Sequence, residues 1–254
     1  MTICYFTASG NSLYVARRIG GNLLSIPKLM RQEKIEIDDD AVGIVCPVYA
    51  AELPMMVMDF MRRAEIRTDY FFFVFTCGDR FDIALGHAEQ AAQARGWDLK
   101  YADGVKMVYN YLPMYDMQEE VTKLPQKDVE GQINRVCNNI RDRKEQRVVI
   151  TEEMRTQMES YHNDHALKIM KKDTALTYTV NDSCVRCAIC YRVCPADNIR
   201  VTGLGVQFSD HCEVCYACLH NCPMNAIHMP DEKSSTRFRN EHVLLKDIIA
   251  ANEL

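Results

Sequence analysis

Two short runs of cysteine in the C-terminal third hold the residues whose spacing indicates chemistry most directly. Each run has the pattern C-x2-C-x2-C-x3-C followed by a proline. Their members are Cys184, Cys187, Cys190, Cys194, Cys212, Cys215, Cys218 and Cys222. Thiolates at this spacing bind [4Fe–4S] clusters, with four thiolates for each cluster. The pattern therefore predicts one-electron chemistry at two iron–sulfur centres.

Two other uses of clustered cysteine fit this pattern less well. Zinc sites use paired C-x2-C knuckles, and a third cysteine at the same short spacing is not typical of them. Disulfides need an oxidising compartment. The first residues do not resemble a secretory signal peptide, and no stretch approaches the roughly 18 apolar residues of a membrane helix. We therefore expect a cytoplasmic protein with reduced cysteines and no membrane span, with zinc or disulfides as the alternatives.

The two cysteine runs are copies of one unit. Residues 184–199 align with residues 212–227 at an offset of 28, which superimposes the cysteines and pairs Pro195 with Pro223. Residues 174–230 resemble the bacterial two-cluster ferredoxins, in which the fourth cysteine of each run binds the other run's cluster. The resemblance implies one cluster on Cys184, Cys187, Cys190 and Cys222. It implies a second cluster on Cys212, Cys215, Cys218 and Cys194.

A second group of polar residues lies near the N-terminus. The loop T-A-S-G-N-S at residues 7–12 follows a β-rich segment and precedes an apolar pattern of helical period. The backbone N–H groups at such a helix N-terminus favour an anion. The sequence lacks G-x4-G-K-[ST], so the loop suits a phosphate monoester better than a triphosphate. The structural alternative is an ordinary helix N-cap in a polar loop.

Strands alternate with helices through the first 145 residues. Strands are predicted at residues 2–6, 41–48, 70–76 and 99–109, with a weaker one at either 27–30 or 35–37. Helices are predicted at residues 13–23, 53–63, 80–95 and about 127–145. This alternation predicts an α/β fold with a doubly wound, five-stranded parallel sheet. Ligands bind such sheets beyond the carboxyl ends of the strands.

The loop at residues 7–12 matches T-x-[ST]-G-N-[ST], and so resembles the phosphate loop of flavodoxins. In that family the loop holds the phosphate of FMN, which implies this role for Thr7, Ser9, Gly10, Asn11 and Ser12. Two later loops would then hold the isoalloxazine ring. Their candidate residues are Pro47, Tyr49, Thr76, Gly78, Asp79 and Phe81.

Within those two loops, Tyr49 and Phe81 are the candidates to stack on the ring. Gly78 would let the backbone approach it closely. The sequence departs from the family at Cys77, where a glycine would be usual, and near Pro47, where a tryptophan or a glycine-rich segment is common. A further loop at residues 110–115 could cover the flavin or a substrate.

The expected organisation has four parts. They are a flavodoxin-like FMN domain at 1–150, a helical connector at 151–173, a two-[4Fe–4S] α+β ferredoxin domain at 174–230, and a tail with a helix at 231–254. Short strands are predicted at 177–180 and 226–229. Residues 231–239 are charged and are expected to be loose, whereas the apolar residues from Val243 to Ile249 predict a docking helix.

The whole chain resembles the ferredoxin–flavodoxin fusion proteins of anaerobes. The resemblance implies an electron-transfer protein that passes electrons between two [4Fe–4S] clusters and FMN, with ferredoxin- or flavin-dependent oxidoreductases as partners. The alternative is a ferredoxin-coupled reductase that acts on a small organic substrate near Tyr49 and Tyr111. The net charge of −5 and the pI near 5.8 argue against nucleic-acid binding. The sequence identifies no catalytic residue.

Overall fold

The computed structural model describes residues 1–146 and 149–253. In chain order its strands are β1 (Thr2–Tyr5), β2 (Asn22–Ser25), β3 (Glu36–Asp38), β4 (Ala41–Pro47), β5 (Glu65–Arg67), β6 (Tyr70–Cys77), β7 (Leu99–Lys106), β8 (Thr179–Val180), β9 (Ile199–Thr202), β10 (Gly205–Phe208) and β11 (Ile227–His228). Its helices are α1 (Asn11–Ile19), α2 (Ile26–Leu29), α3 (Met55–Arg63), α4 (Asp82–Ala94), α5 (Met117–Thr122), α6 (Val129–Arg141), α7 (Glu152–Tyr161), α8 (Leu167–Ile169), α9 (Ile189–Arg192), α10 (Ala217–His220) and α11 (Leu245–Asn252).

A five-stranded parallel sheet forms the centre of the first half, with the strand order β2-β1-β4-β6-β7. This order is compatible with a flavodoxin-like doubly wound fold. Strand β6 is buried along its whole length and β4 along all but its last residue, because helices cover both faces of the sheet. The predicted α/β class and its parallel sheet are confirmed.

The prediction of the weak strand was wrong. Strand β2 of the main sheet begins at Asn22, where the sequence pattern predicted the end of the first helix. Gly20 and Gly21, with φ of 86° and 94°, end α1 early and turn the chain into β2. Residues 26–29 form the short helix α2 instead of a strand. Strand β3 overlaps the other candidate, but it pairs with β5 in a separate two-stranded sheet.

The C-terminal half repeats one supersecondary unit. Helices α9 and α10 lie within the two cysteine runs, at the same offset of 28, and each contains the third cysteine of its run. The short strands β8 and β11, close to the two predicted segments, pair with each other in antiparallel fashion. The hairpin β9–β10 between the runs was not predicted.

The expectation that residues 231–239 are loose was wrong. Phe238 is buried, and Arg237 donates hydrogen bonds to Glu232 and to the carbonyl of Ile227. This one aromatic anchor and its neighbouring ion pair order a segment that composition alone made look unstructured. Helix α11 then packs Ile248 into the core of the first half. Within the described residues, no helix is long and apolar enough to cross a membrane.

The centre of the sheet supplies a stability prediction. A Cβ atom added to Gly43 would lie 2.1 Å from the ring of Phe72 on the neighbouring strand. We expect Gly43→Ala to lower the free energy of unfolding by about 1 to 3 kcal/mol, because a fully buried aromatic ring would have to move. Gly203→Ala is the control, since a Cβ there meets no atom within 4 Å. Equal midpoints of thermal unfolding for the two variants would contradict this packing.

Candidate functional site

A cavity of about 410 Å³ opens at the carboxyl edge of the central sheet. The predicted flavin-loop residues that line it are Thr7, Ser9, Asn11, Ser12, Pro47, Tyr49, Thr76, Gly78 and Phe81. Two predicted residues lie outside it. Gly10 faces Val243 and Asn240 of the C-terminal segment, and Asp79 is exposed and pairs with Lys106 at 2.8 Å. The cavity therefore brings together nine of the eleven predicted residues.

The loop at residues 7–12 leaves the Thr7 hydroxyl and the N-terminus of α1 without side-chain partners among the described residues. Gly10 adopts φ 101° at the start of α1, a conformation that glycine adopts without strain. In the described part of the chain, α1 has neither a side-chain cap nor an acidic residue in its first turn. The hydroxyl of Thr7 is buried, and no described residue bonds it. Ser9 accepts a hydrogen bond from Asn110, whereas Ser12 and Thr76 bond each other at 2.8 Å.

The loop after β4 contains a strained turn. Backbone hydrogen bonds join Tyr49 and Glu52 in both directions, at 2.9 and 2.8 Å. The two residues between them, Ala50 and Ala51, have φ of 47° and 64°, where glycine is usual. The ring of Tyr49 packs edge-on against Phe6, and its hydroxyl is buried. Burial raises the pKa of Tyr49 well above its usual value.

The glycine of the loop after β6 makes a contact that the sequence did not predict. A Cβ atom on Gly78 would lie 2.1 Å from the ring of Tyr109. That ring stacks on Tyr115 at 4.2 Å and lies beneath the ammonium group of Lys127. Gly78 therefore makes room for a protein side chain. In the same loop, burial raises the pKa of the Cys77 thiol to about 12, so this thiol is neutral.

The structure also adds cavity residues that the sequence did not indicate. The connector contributes Tyr161, His165, Ile169 and Met170, and the second cysteine run contributes Val214 and Tyr216. One signal for the connector was Gly86, in the middle of α4. Glycine there costs a helix about 1 kcal/mol. A Cβ at that position would lie 2.5 Å from the sulfur of Met158, so the glycine lets α7 pack closely.

The eight clustered cysteines surround two separate small cavities. The first is lined by Cys184, Cys187, Cys190 and Cys222, which we call the outer quartet. The second is lined by Cys194, Cys212, Cys215 and Cys218, which we call the inner quartet. Each quartet takes its fourth cysteine from the other run, the division that the resemblance implies. Over residues 1–146 and 149–253, no three His, Cys, Asp or Glu side chains are arranged to hold a single metal ion.

The backbone around the quartets carries strain that repeats with the sequence. Six residues other than glycine have positive φ at the same offset of 28, namely the pairs Arg186 and Val214, Ala188 and Tyr216, Asp197 and Asn225. Such conformations persist only where surrounding structure enforces them. Turns of this kind point successive N–H groups at one anion, as in many iron–sulfur sites. Accordingly, N–H groups already point at the sulfurs of Cys194, Cys212 and Cys222, at 3.3 to 3.4 Å.

The two quartets differ in exposure. Cys187 of the outer quartet is exposed, whereas Cys215 and Cys218 of the inner quartet are buried. Burial raises the pKa of these two thiols well above the usual value. Tyr216 lines both the inner quartet's cavity and the large cavity. The inner quartet and the large cavity therefore share a wall.

Comparisons with known proteins add little to this geometry. No protein-family model matches the chain, and no curated protein does. Among solved structures, the Trp repressor binding protein from Bacillus subtilis is similar to part of it, with 9% identity and a TM-score of 0.31. The match covers 50% of this chain and 91% of that one. A similarity this low establishes neither family nor function.

Two buried threonine hydroxyls, of Thr7 in the first loop and of Thr76 on β6, predict opposite effects of substitution by valine. Thr7→Val removes a buried hydroxyl without a partner, so we expect it to stabilise the ligand-free protein by about 1 kcal/mol. Thr76→Val leaves the buried hydroxyl of Ser12 without a hydrogen-bond partner. We therefore expect it to destabilise the protein by about 1 to 3 kcal/mol. Thermal unfolding of the two variants beside the wild type measures both. A Thr7→Val protein less stable than the wild type would mean that this hydroxyl already has a partner.

Proposed function

We propose that this protein is an electron carrier in which two [4Fe–4S] clusters exchange electrons with an FMN held in the large cavity. The observation that supports this most is the wall shared by the inner quartet and the cavity, formed by Tyr216. Cofactors bound in two sites that share Tyr216 would be neighbours and would act as one chain of carriers. A ferredoxin–flavodoxin fusion, the family that the sequence resembles, would have this arrangement.

The cavity fits FMN in three respects. Its volume lies in the range of small-molecule sites, roughly 300 to 1,000 Å³. One end carries an uncapped helix N-terminus beside the free hydroxyl of Thr7, which suits a phosphate monoester. The rest is lined largely by apolar and aromatic residues such as Tyr49 and Phe81. FMN can accept one or two electrons, so it would join single-electron carriers to two-electron chemistry.

The quartets fit iron–sulfur clusters by their donor chemistry. Each offers four thiols from two separate loops, and each loop turns N–H groups toward sulfur. Hydrogen bonds of this type, together with burial, set the reduction potentials of such clusters. The inner quartet is more buried than the outer one, so the two clusters would differ in potential.

The exposure of the quartets supports one order of transfer. Cys187 of the outer quartet reaches the surface, where a partner protein can approach. Three of the four inner-quartet cysteines are buried, and the inner quartet's cavity shares Tyr216 with the large cavity. We therefore assign the outer quartet to exchange with a one-electron partner and the inner quartet to exchange with the flavin. Redox encounters of this type use small, transient interfaces.

The composition of the purified protein tests the cofactors. Protein prepared without oxygen is expected to hold about eight irons per chain, the content of two such clusters, together with one flavin released as FMN. Iron and acid-labile sulfide assays, with a visible spectrum, measure this. Iron without flavin would refute the carrier model, and zinc in place of iron would refute the clusters.

The transfer order predicts the effect of losing one ligand of the inner quartet. We expect Cys194→Ser to lower the iron content and to slow reduction of bound FMN by a one-electron protein donor at least about tenfold, while FMN content stays near the wild-type level. Cys137→Ser is the matched control, because Cys137 lies on α6 outside both quartets. Stopped-flow spectroscopy follows the flavin. Unchanged flavin reduction in Cys194→Ser would contradict a route through the inner quartet.

A further inference from the structure

Three successive carbonyl groups of the first loop accept hydrogen bonds from the C-terminal half of the chain. The side-chain amide of Asn252 donates to the carbonyl of Thr7 at 3.1 Å. The side-chain amide of Asn221 donates to the carbonyl of Ala8 at 3.1 Å. The backbone N–H of Asn240 donates to the carbonyl of Ser9 at 2.8 Å. We call these three asparagines the clamp.

The clamp fixes the direction of the loop's N–H groups. The structure contains no cis peptide among the described residues, and in a trans peptide the C=O and N–H groups point in opposite directions. The carbonyls of residues 7–9 are held by the clamp. The N–H groups of residues 8–10, which belong to the same peptide units, must therefore point away from it. No described residue accepts a hydrogen bond from these three N–H groups.

The clamp is anchored in the iron–sulfur half. The amide of Asn252 also donates to the carbonyl of Val193, next to Cys194 of the inner quartet. The amide of Asn221, which precedes Cys222 of the outer quartet, also donates to the carbonyl of Ala217 in α10. Each amide thus joins the first loop to backbone beside a quartet ligand.

The burial of these two side chains indicates that positions 221 and 252 require the N–H groups of an amide. Asn252 is 0% exposed and Asn221 is 2% exposed. The oxygen of each side-chain amide is buried without a partner among the described residues, at a cost in stability. An apolar side chain of the same shape would avoid that cost. The sites therefore use the two donors of each amide.

We infer that Asn221, Asn240 and Asn252 are positioning residues that hold the loop's N–H groups in place for the phosphate of FMN. This inference depends on the proposed function, since it concerns the same cavity. Its new content is that phosphate recognition is not a property of the first half alone. The C-terminal segment and the backbone beside the quartets complete the phosphate site.

The affinities of two flavins test this inference. FMN and riboflavin differ only in the phosphate, so the ratio of their dissociation constants isolates phosphate recognition. We expect Asn252→Leu and Asn221→Leu, which keep the side-chain shape and remove the donors, each to weaken FMN at least about tenfold. Riboflavin affinity should stay within about twofold of the wild type. Quenching of flavin fluorescence in titrations of the flavin-stripped protein measures both constants.

Glu253→Gln is the matched control for disturbed docking of α11. It breaks the exposed ion pair between Glu253 and Arg192, at 2.6 Å, next to the clamp but without touching the first loop. FMN affinity in this variant should remain at the wild-type value. Iron content and the midpoint of thermal unfolding establish that each variant is folded. If Asn252→Leu does not fold, the Asn221→Leu variant alone tests the inference.

Each other outcome overturns the inference. An equal loss of FMN and riboflavin affinity would mean that the amides only maintain the fold. Unchanged FMN affinity in both variants would mean that the loop needs no clamp. If the wild-type protein binds both flavins equally well, the cavity would still be a flavin site, but the proposed phosphate site would be refuted. A wild-type protein that binds neither flavin would refute the proposed function itself.

Discussion

The arrangement of this molecule depends on satisfying backbone polar groups at the carboxyl edge of the central sheet. Loops at such an edge expose N–H and C=O groups that are costly to bury without partners. Here the C-terminal half provides many of those partners. Glu213 accepts the N–H of Met56 at 2.9 Å and so caps α3, whose first turn has no other side-chain cap among the described residues. His220 bonds the carbonyl of Asn110 at 2.9 Å. The two halves are therefore joined by hydrogen bonds at the loops that line the cavity, and these bonds fix the positions of the loops.

Part of the strained backbone lies at this joint. The residues Ala50, Ala51 and Val214, all with positive φ, border the cavity, and Tyr216 borders both the cavity and the inner quartet. A β-branched residue such as Val214 rarely adopts this conformation. Hydrogen bonds and packing from two directions can enforce it, because the loop is held by its own half and by the opposite one. These four residues thus lie where the two halves meet, whereas Arg186 and Ala188 of the first copy do not line the cavity.

The sequence predicted those features that depend on local pattern or on general rules of topology. Strands β4 and β6 are continuous apolar runs, and the ligand loops follow from the rule that α/β sheets bind beyond their carboxyl ends. Strand β2 was not predicted, because its two leucines extend the helical period of α1. Only the backbone conformation of Gly20 and Gly21 separates the two elements. The wall at Tyr216 and the amide of Asn252 come from distant segments, so no local pattern could place them. The contact of Gly78 with Tyr109 was not predicted for the same reason, since Tyr109 lies 31 positions away.

The two copies of the cysteine unit have similar backbones but differ in how deeply they are buried. Their cysteine spacing and backbone conformations agree, yet Cys187 of the outer quartet is exposed, whereas Cys194, Cys215 and Cys218 of the inner quartet are buried. This difference in burial correlates with the residues that lie between the cysteines. In the first copy, Arg186 and Arg192 are exposed; at the matching positions of the second copy, Val214 and His220 are buried. Ala188 is matched by Tyr216, whose ring forms the wall of the cavity. Comparison of the two copies thus contained a signal for which copy packs against the first half, because Val214 and His220 can be buried there, whereas the arginines at the matching positions remain exposed.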